Sequence, residues 1–229
     1  MIGQLFLIAT PIDEESPLEP IALDLLMKAC TDYTNSILLI EDLKPCRRRW
    51  LRFGLPREAI DHFIQFNEHT QKELAPKIIS DLMSGKNVYI MSDGGLPAFC
   101  DPGQVLVRMA HENAIKVSCT PHSNSISLAV ALSGIDCSKF LFTGFLPKDG
   151  DERKRVLSEY ESLNHAVVLM DTPYRLKRTL EEISEVMPNR KLFLGMDLNS
   201  SSEELLYGRA SKILKKLNEL KREFIIILD

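Results

Sequence analysis

Short apolar runs of β-forming residues alternate with amphipathic helical stretches along nearly all of the 229 residues, and that alternation leaves few folds open. The apolar runs are Gln4–Ala9, Ser36–Glu41, Val88–Met91, Lys116–Cys119, Phe140–Gly144, Ala166–Asp171, Lys191–Met196 and Glu223–Leu228, with Ile60–Phe66 also extended. Between them lie helical patterns at Pro20–Ala29, Cys46–Phe53, Gln71–Met83, Gln104–Asn113, Ser123–Leu132, Asp151–Leu163, Pro173–Val186 and Ala210–Lys221. Strands separated by helices imply βαβ units and a largely parallel sheet. Pro20 suits the first turn of its helix, Gly85 and Gly134 suit helix ends, and Pro76 must sit in a first turn or kink its helix.

A chain of this length that is 45% hydrophobic can bury one large core or two smaller ones. A net charge of −4 and a pI of about 5.8 argue weakly against a dedicated nucleic-acid binder, while leaving room for a local basic patch. The five cysteines, Cys30, Cys46, Cys100, Cys119 and Cys137, have no metal-ligand spacing, so free thiols in a reducing compartment are expected. No apolar run approaches the ~20 residues of a membrane helix, and Gln4–Thr10 is too short for a signal segment. A soluble cytoplasmic protein with no membrane contact is the expectation.

The segment Met91-Ser-Asp-Gly-Gly-Leu-Pro-Ala-Phe-Cys-Asp-Pro-Gly103 leaves an apolar run and enters a helical pattern. Gly94 and Gly95 permit close backbone approach to a ligand. In an open α/β sheet such a loop stands where ligands bind, beyond the carboxyl ends of strands. The loop resembles the Ser-Asp-Ala-Gly-Thr-Pro-Gly-Ile-Ser-Asp-Pro-Gly loop of the ribosomal RNA small subunit methyltransferase I family, within the tetrapyrrole (corrin/porphyrin) methylase superfamily. Ser92, Asp93, Gly95, Pro97, Asp101, Pro102 and Gly103 match, while Gly94, Leu96, Ala98, Phe99 and Cys100 differ.

Further segments are similar to the same family. Thr10-Pro11-Ile12 matches in type, but Asp13-Glu14-Glu15 stands where the family has Gly-Asn-Leu. Glu41-Asp42-Leu43-Lys44-Pro45-Cys46-Arg47-Arg48-Arg49-Trp50 follows the family's Glu-Asp-Thr-Arg segment, with Leu43 replacing Thr. Glu68-His69, Thr120-Pro121-His122-Ser123, Gly144-Phe145-Leu146-Pro147, Asp171-Thr172-Pro173-Tyr174-Arg175 and Met196-Asp197 extend the resemblance over most of the chain.

The resemblance implies two α/β domains, 1–119 and 120–229. The first has a mostly parallel sheet and the second a mixed one, with a cofactor cleft between them, in a homodimer. It implies S-adenosylmethionine as cofactor, held by Thr10, Pro11, Ser92, Asp93, Gly94, Gly95, Leu96, Pro97, Ser125, Ile126, Met170, Asp171 and Met196. A sulfonium is already a strong methyl donor, so alignment suffices and no metal is expected. The implied reaction is 2′-O-methylation of a cytidine in small-subunit ribosomal RNA. A tetrapyrrole or other acceptor, or a ligand-binding protein without catalysis, stands as the alternative. Candidate proton-handling groups are Glu41, Asp42, Lys44 and His69. Arg47, Arg48 and Arg49 could pair with RNA phosphates. Trp50 could stack on a base or pack inward.

Overall fold

The computed structural model describes residues 1–122, 124–218 and 221–229. It divides into two compact units, residues 1–124 and 125–229. The first unit holds β1 (Gln4–Ile8), α1 (Pro20–Ala29), β2 (Ser36–Ile40), α2 (Leu43–Arg52), β3 (Phe63–Gln65), α3 (Gln71–Met83), β4 (Asn87–Met91), α4 (Gln104–Glu112) and β5 (Lys116–Cys119). Its strands run in the order β3-β2-β4-β1-β5, every pair parallel.

Side chains alternate between the two faces of a strand, and both faces here are covered. Ile37, Leu39, Val88 and Ile90 pack with Ala75, Ile78 and Leu82 of α3 and Leu106 and Ala110 of α4. Leu38, Tyr89 and Met91 pack on the other face with Ala22 and Leu26 of α1 and Trp50 of α2. Burial on both sides explains why these strands read as continuous apolar runs. Ile8 and Ile40 both pair with Met91, so β1, β2 and β4 end side by side and their exit loops leave from one edge.

The second unit holds α5 (Ser125–Ser133), β6 (Phe140–Phe145), α6 (Gly150–Glu161), β7 (Ala166–Met170), α7 (Leu176–Val186), β8 (Lys191–Met196), β9 (Glu204–Arg209), α8 (Ala210–Leu214) and β10 (Phe224–Leu228). Its sheet order is β6-β7-β10-β8-β9. Only β6 and β7 are parallel; the other pairs are antiparallel. Val167, Leu169, Leu194 and Ile226 face α6 and α7, while Val168, Phe193 and Ile225 face α5.

Several boundaries differ from the sequence reading. Helix α2 begins at Leu43 rather than Cys46, because the Asp42 side chain caps it by accepting from the Lys44 N–H at 3.2 Å. Pro45 then falls in the first turn, where its missing N–H costs nothing. Arg57–His62 is a 3₁₀ helix and only Phe63–Gln65 is extended. Pro76 lies in the second turn of α3, not the first. Strand β9 was not expected at all, and α8 stops at Leu214. Ser123, expected to open a helix, lies outside the described residues. Among the described residues no helix is long and apolar enough to cross a membrane.

Candidate functional site

The exits of β2 and β4 are locked together by their own carboxylates. The Asp93 N–H donates to Glu41 Oε2 at 3.1 Å, and the Asp42 N–H donates to Asp93 Oδ1 at 3.3 Å. The exit of β1 joins them through a two-residue ladder: Thr10 N–H donates to the Gly95 carbonyl at 2.9 Å and Gly95 N–H to the Thr10 carbonyl at 3.0 Å. Gly95 adopts φ +97°, and the space where a side chain would begin is open. Thr10 is buried, with its hydroxyl donating to the Ser92 carbonyl at 3.2 Å.

The remainder of the loop is conformationally constrained. Ala98 and Cys100 both take φ near +65°, a region that costs a non-glycine residue free energy. The Ala98 N–H donates to the Pro102 carbonyl at 3.2 Å, and the Phe99 N–H to the Leu96 carbonyl at 3.2 Å. The turn so formed carries Asp101 back toward the strand ends.

A pocket of about 510 Å³ opens there, within the first unit. It is lined by Glu41, Asp42, Gln65, Asn67, Glu68, His69, Gln71, Asp93, Cys100, Asp101, Pro102, Gln104 and Val105. Burial pushes the Asp101 carboxyl up to about 7, with the negative charge of Glu41 adding to it and the Ser92 hydroxyl partly offsetting it. Burial and then Glu41 likewise raise Asp93, to about 6. Carboxyls poised near neutrality in a cleft are what proton transfer at physiological pH requires.

The predicted site residues separate into those the pocket gathers and those it does not. Glu41, Asp42, His69 and Asp93 line it; Lys44 is exposed on α2. His69 is exposed, 3.3 Å from Glu68. Pro11, Ser92, Gly94, Leu96 and Pro97 belong to the two joined loops.

The expected RNA contacts are mostly engaged elsewhere. Trp50 cannot serve as a stacking platform: it is fully buried, donates from Nε1 to the Pro56 carbonyl at 2.8 Å and meets Phe63 edge-on. Arg49 is buried as well, donating to the Pro11 carbonyl at 2.7 Å and the Ile12 carbonyl at 3.4 Å. It therefore anchors the β1 exit loop and is not free for phosphate. Arg48 pairs with Glu14, and Arg52 with Glu15. Arg47 is exposed.

In the second unit the Asp171 side chain, expected at the cofactor, is likewise engaged inside the fold. Its carboxylate is buried, accepting from Arg153 at 2.6 Å, from the Thr179 hydroxyl at 2.9 Å and from Arg175 at 3.2 Å. Arg153, itself fully buried, also donates to Glu182 at 2.6 Å. A buried charge held by several partners is part of the unit's interior. The side chains of Met196 and Ile126 pack into its core, which leaves only their backbone for a ligand. Ser125 opens α5, and the Met170 carbonyl accepts from the Leu146 N–H at 3.1 Å.

Asp101 is a pocket carboxyl that the sequence reading does not single out as a candidate for proton transfer. Its match to the family loop marked it, but only the turn at 98–102 shows it rejoining Glu41 and Asp93.

Residues 39–214 match the family model of the Tetrapyrrole (Corrin/Porphyrin) Methylases. The "Ribosomal RNA small subunit methyltransferase I" of Thermotoga maritima is 30% identical over 96% of this chain and 94% of its own length. The protein of the same name from Neisseria meningitidis serogroup B is 29% identical over 99% of this chain and 76% of its own length. Among solved structures, a diphthine synthase superposes with a TM-score of 0.69 at 13% identity, covering 98% of this chain and 88% of that one. The uroporphyrin-III C-methyl transferase from Thermus thermophilus, complexed with S-adenyl homocysteine, gives 0.59 at 15% identity, covering 99% and 97%. These two likenesses establish the fold. With the family match spanning most of both units and the loop of β4 carrying the family's residues, the chain belongs to the tetrapyrrole (corrin/porphyrin) methylases, S-adenosylmethionine-dependent methyltransferases.

Proposed function

We propose that the chain methylates the ribose 2′-hydroxyl of a cytidine in small-subunit ribosomal RNA, with Asp101 taking up the hydroxyl proton. The observation that carries the acceptor is the similarity, over 96% and 99% of this chain, to relatives named for small-subunit ribosomal RNA. The observation that carries the base is the pocket in which Asp101 stands beside Glu41 and Asp93.

The residues of the first unit suit the cofactor. The backbone around Gly95 borders open space, where a ligand can approach without meeting a side chain. Asp93 and Glu41 set a negative field that favours a cation and accepts hydrogen bonds from sugar hydroxyls and an ammonium group. Pro11, Asp93 and the 94–97 backbone would hold the cofactor, which supplies a methyl group already activated on a sulfonium.

The work left to the protein is alignment and removal of one proton. Glu41 and Asp93 each accept a backbone N–H through one oxygen, which ties both carboxylates to the joining of the loops. Asp101 accepts no backbone N–H among the described residues; the Ser92 hydroxyl lies against its carboxyl, and a carboxylate with two oxygens still has room to take a proton from the acceptor oxygen. It returns that proton to water after the product leaves. Its raised pKa brings its basicity closer to that of the hydroxyl than an ordinary aspartate's.

The test is a nucleotide-resolution map of 2′-O-methylation in small-subunit RNA from cells with and without the gene. The expected result is one cytidine that loses its methyl group in the deletion strain and regains it on complementation. Identical maps would refute the RNA acceptor.

A further inference from the structure

The basic face of α2 is covered by the acidic loop that leaves β1. Lys44, Arg48 and Arg52 are spaced four apart and share one side of the helix. Arg48 donates from Nη2 to Glu14 Oε2 at 2.7 Å, with a second contact from Nε to Oε1, so the pair is bidentate. Arg52 donates to the Glu14 carbonyl at 2.8 Å and pairs with the Glu15 carboxylate. One partner of each pair is well exposed, Arg48 at 54% and Glu15 at 76%, and the other, Glu14 at 33% and Arg52 at 34%, keeps about a third of its surface in water.

Two features make this contact exchangeable. Exposed ion pairs are weak, because water and salt compete for both partners. The loop is also anchored independently of them: Arg49 holds the Pro11 and Ile12 carbonyls, and Thr10 is laddered to Gly95. Glu14 and Glu15 can therefore let go without unseating the base of the loop. A phosphate presents oxygens in the same two-pronged arrangement as a carboxylate, so it fits the guanidinium that Glu14 now occupies.

We propose that Arg48 and Arg52 form a docking face for the RNA phosphate backbone, occupied by Glu14 and Glu15 in the RNA-free protein and opened by exchange of carboxylate for phosphate. This rests on the RNA acceptor proposed above. The exchange keeps the face closed to weakly held anions and opens it to a polymer that engages several sites at once.

The test is the affinity of a small-subunit RNA fragment, by fluorescence anisotropy at several salt concentrations, for the wild type and three variants. The double variant Glu14→Gln/Glu15→Gln should bind roughly 2- to 30-fold more tightly, the range set by losing two exposed pairs. Arg48→Gln/Arg52→Gln should bind more weakly, with a salt slope smaller by about 1.4, about 0.7 for each lost phosphate contact on a single strand. Combining all four changes should reproduce the arginine variant. Glu15→Gln alone leaves the Arg48–Glu14 pair in place and should give part of the gain, which guards against loss of fold in the double variant. RNA binding by the wild type with no gain in either glutamate variant would overturn the exchange while leaving the RNA acceptor standing. A wild type with no affinity for RNA at any salt would overturn both.

Discussion

A carboxyl group drawn partly out of water beside two others carries an electrostatic cost at neutral pH, and Asp101 carries it in the native state alone. Burial, then Glu41, raises its pKa to about 7, against about 3.9 for an unfolded aspartate. Between those values the folded protein holds a proton that the unfolded chain has released. Stability contributed by this group is therefore present at low pH and declines as pH rises through about 4 to 7. Asp101→Asn removes the charge while nearly keeping the shape. Its thermal midpoint at pH 8 should exceed that of the wild type, and the gap should close as pH approaches 4. Circular dichroism melts across that range check this; a lower midpoint at pH 8 would mean the carboxylate stabilises the fold. Such a site gives up stability for a group that can move a proton.

Helix α2 holds the β1 exit loop from beneath, and its four arginines do different work. Arg49 supplies donors to two carbonyls of that loop from a buried position, whereas Arg47 is exposed. Arg49→Ala should cost about 1–3 kcal/mol, the penalty for leaving buried acceptors unpaired. Arg47→Ala should change stability by less than about 0.5 kcal/mol. Urea unfolding of the two variants separates them, and equal effects would mean that Arg49 does not anchor the loop. Charge counted along the sequence makes these arginines look alike, because the pairing of Arg48 and Arg52 with Glu14 and Glu15 spans more than thirty residues. The same limit hid the role of Trp50. Its hydrogen bond to Pro56 and its contact with Phe63 depend on how the helix rotates onto the sheet.

Each unit closes a core on both faces of its own sheet, and that is why so much of the fold was legible. Strands buried on both sides, such as Ser36–Ile40 and Phe224–Leu228, announce themselves as unbroken apolar runs. Strand β9 did not, because it lies at a sheet edge, alternates exposed and partly buried residues and contains Gly208. The candidate site was legible as loops but not as a constellation: Asp93 and Asp101 flank a turn built on left-handed Ala98 and Cys100, a conformation their residue types do not signal. The proposed function rests on what that turn brings together. The decisive measurement is the pH dependence of single-turnover methyl transfer from S-adenosylmethionine to small-subunit RNA, with wild type and Asp101→Asn side by side. The wild-type rate should rise with pH through a limb near 7. The variant should be slower by about 10²- to 10⁴-fold and lose that limb, with cofactor affinity little changed. A variant that transfers methyl groups as fast as the wild type, with the limb intact, would contradict the assignment of Asp101 as the base.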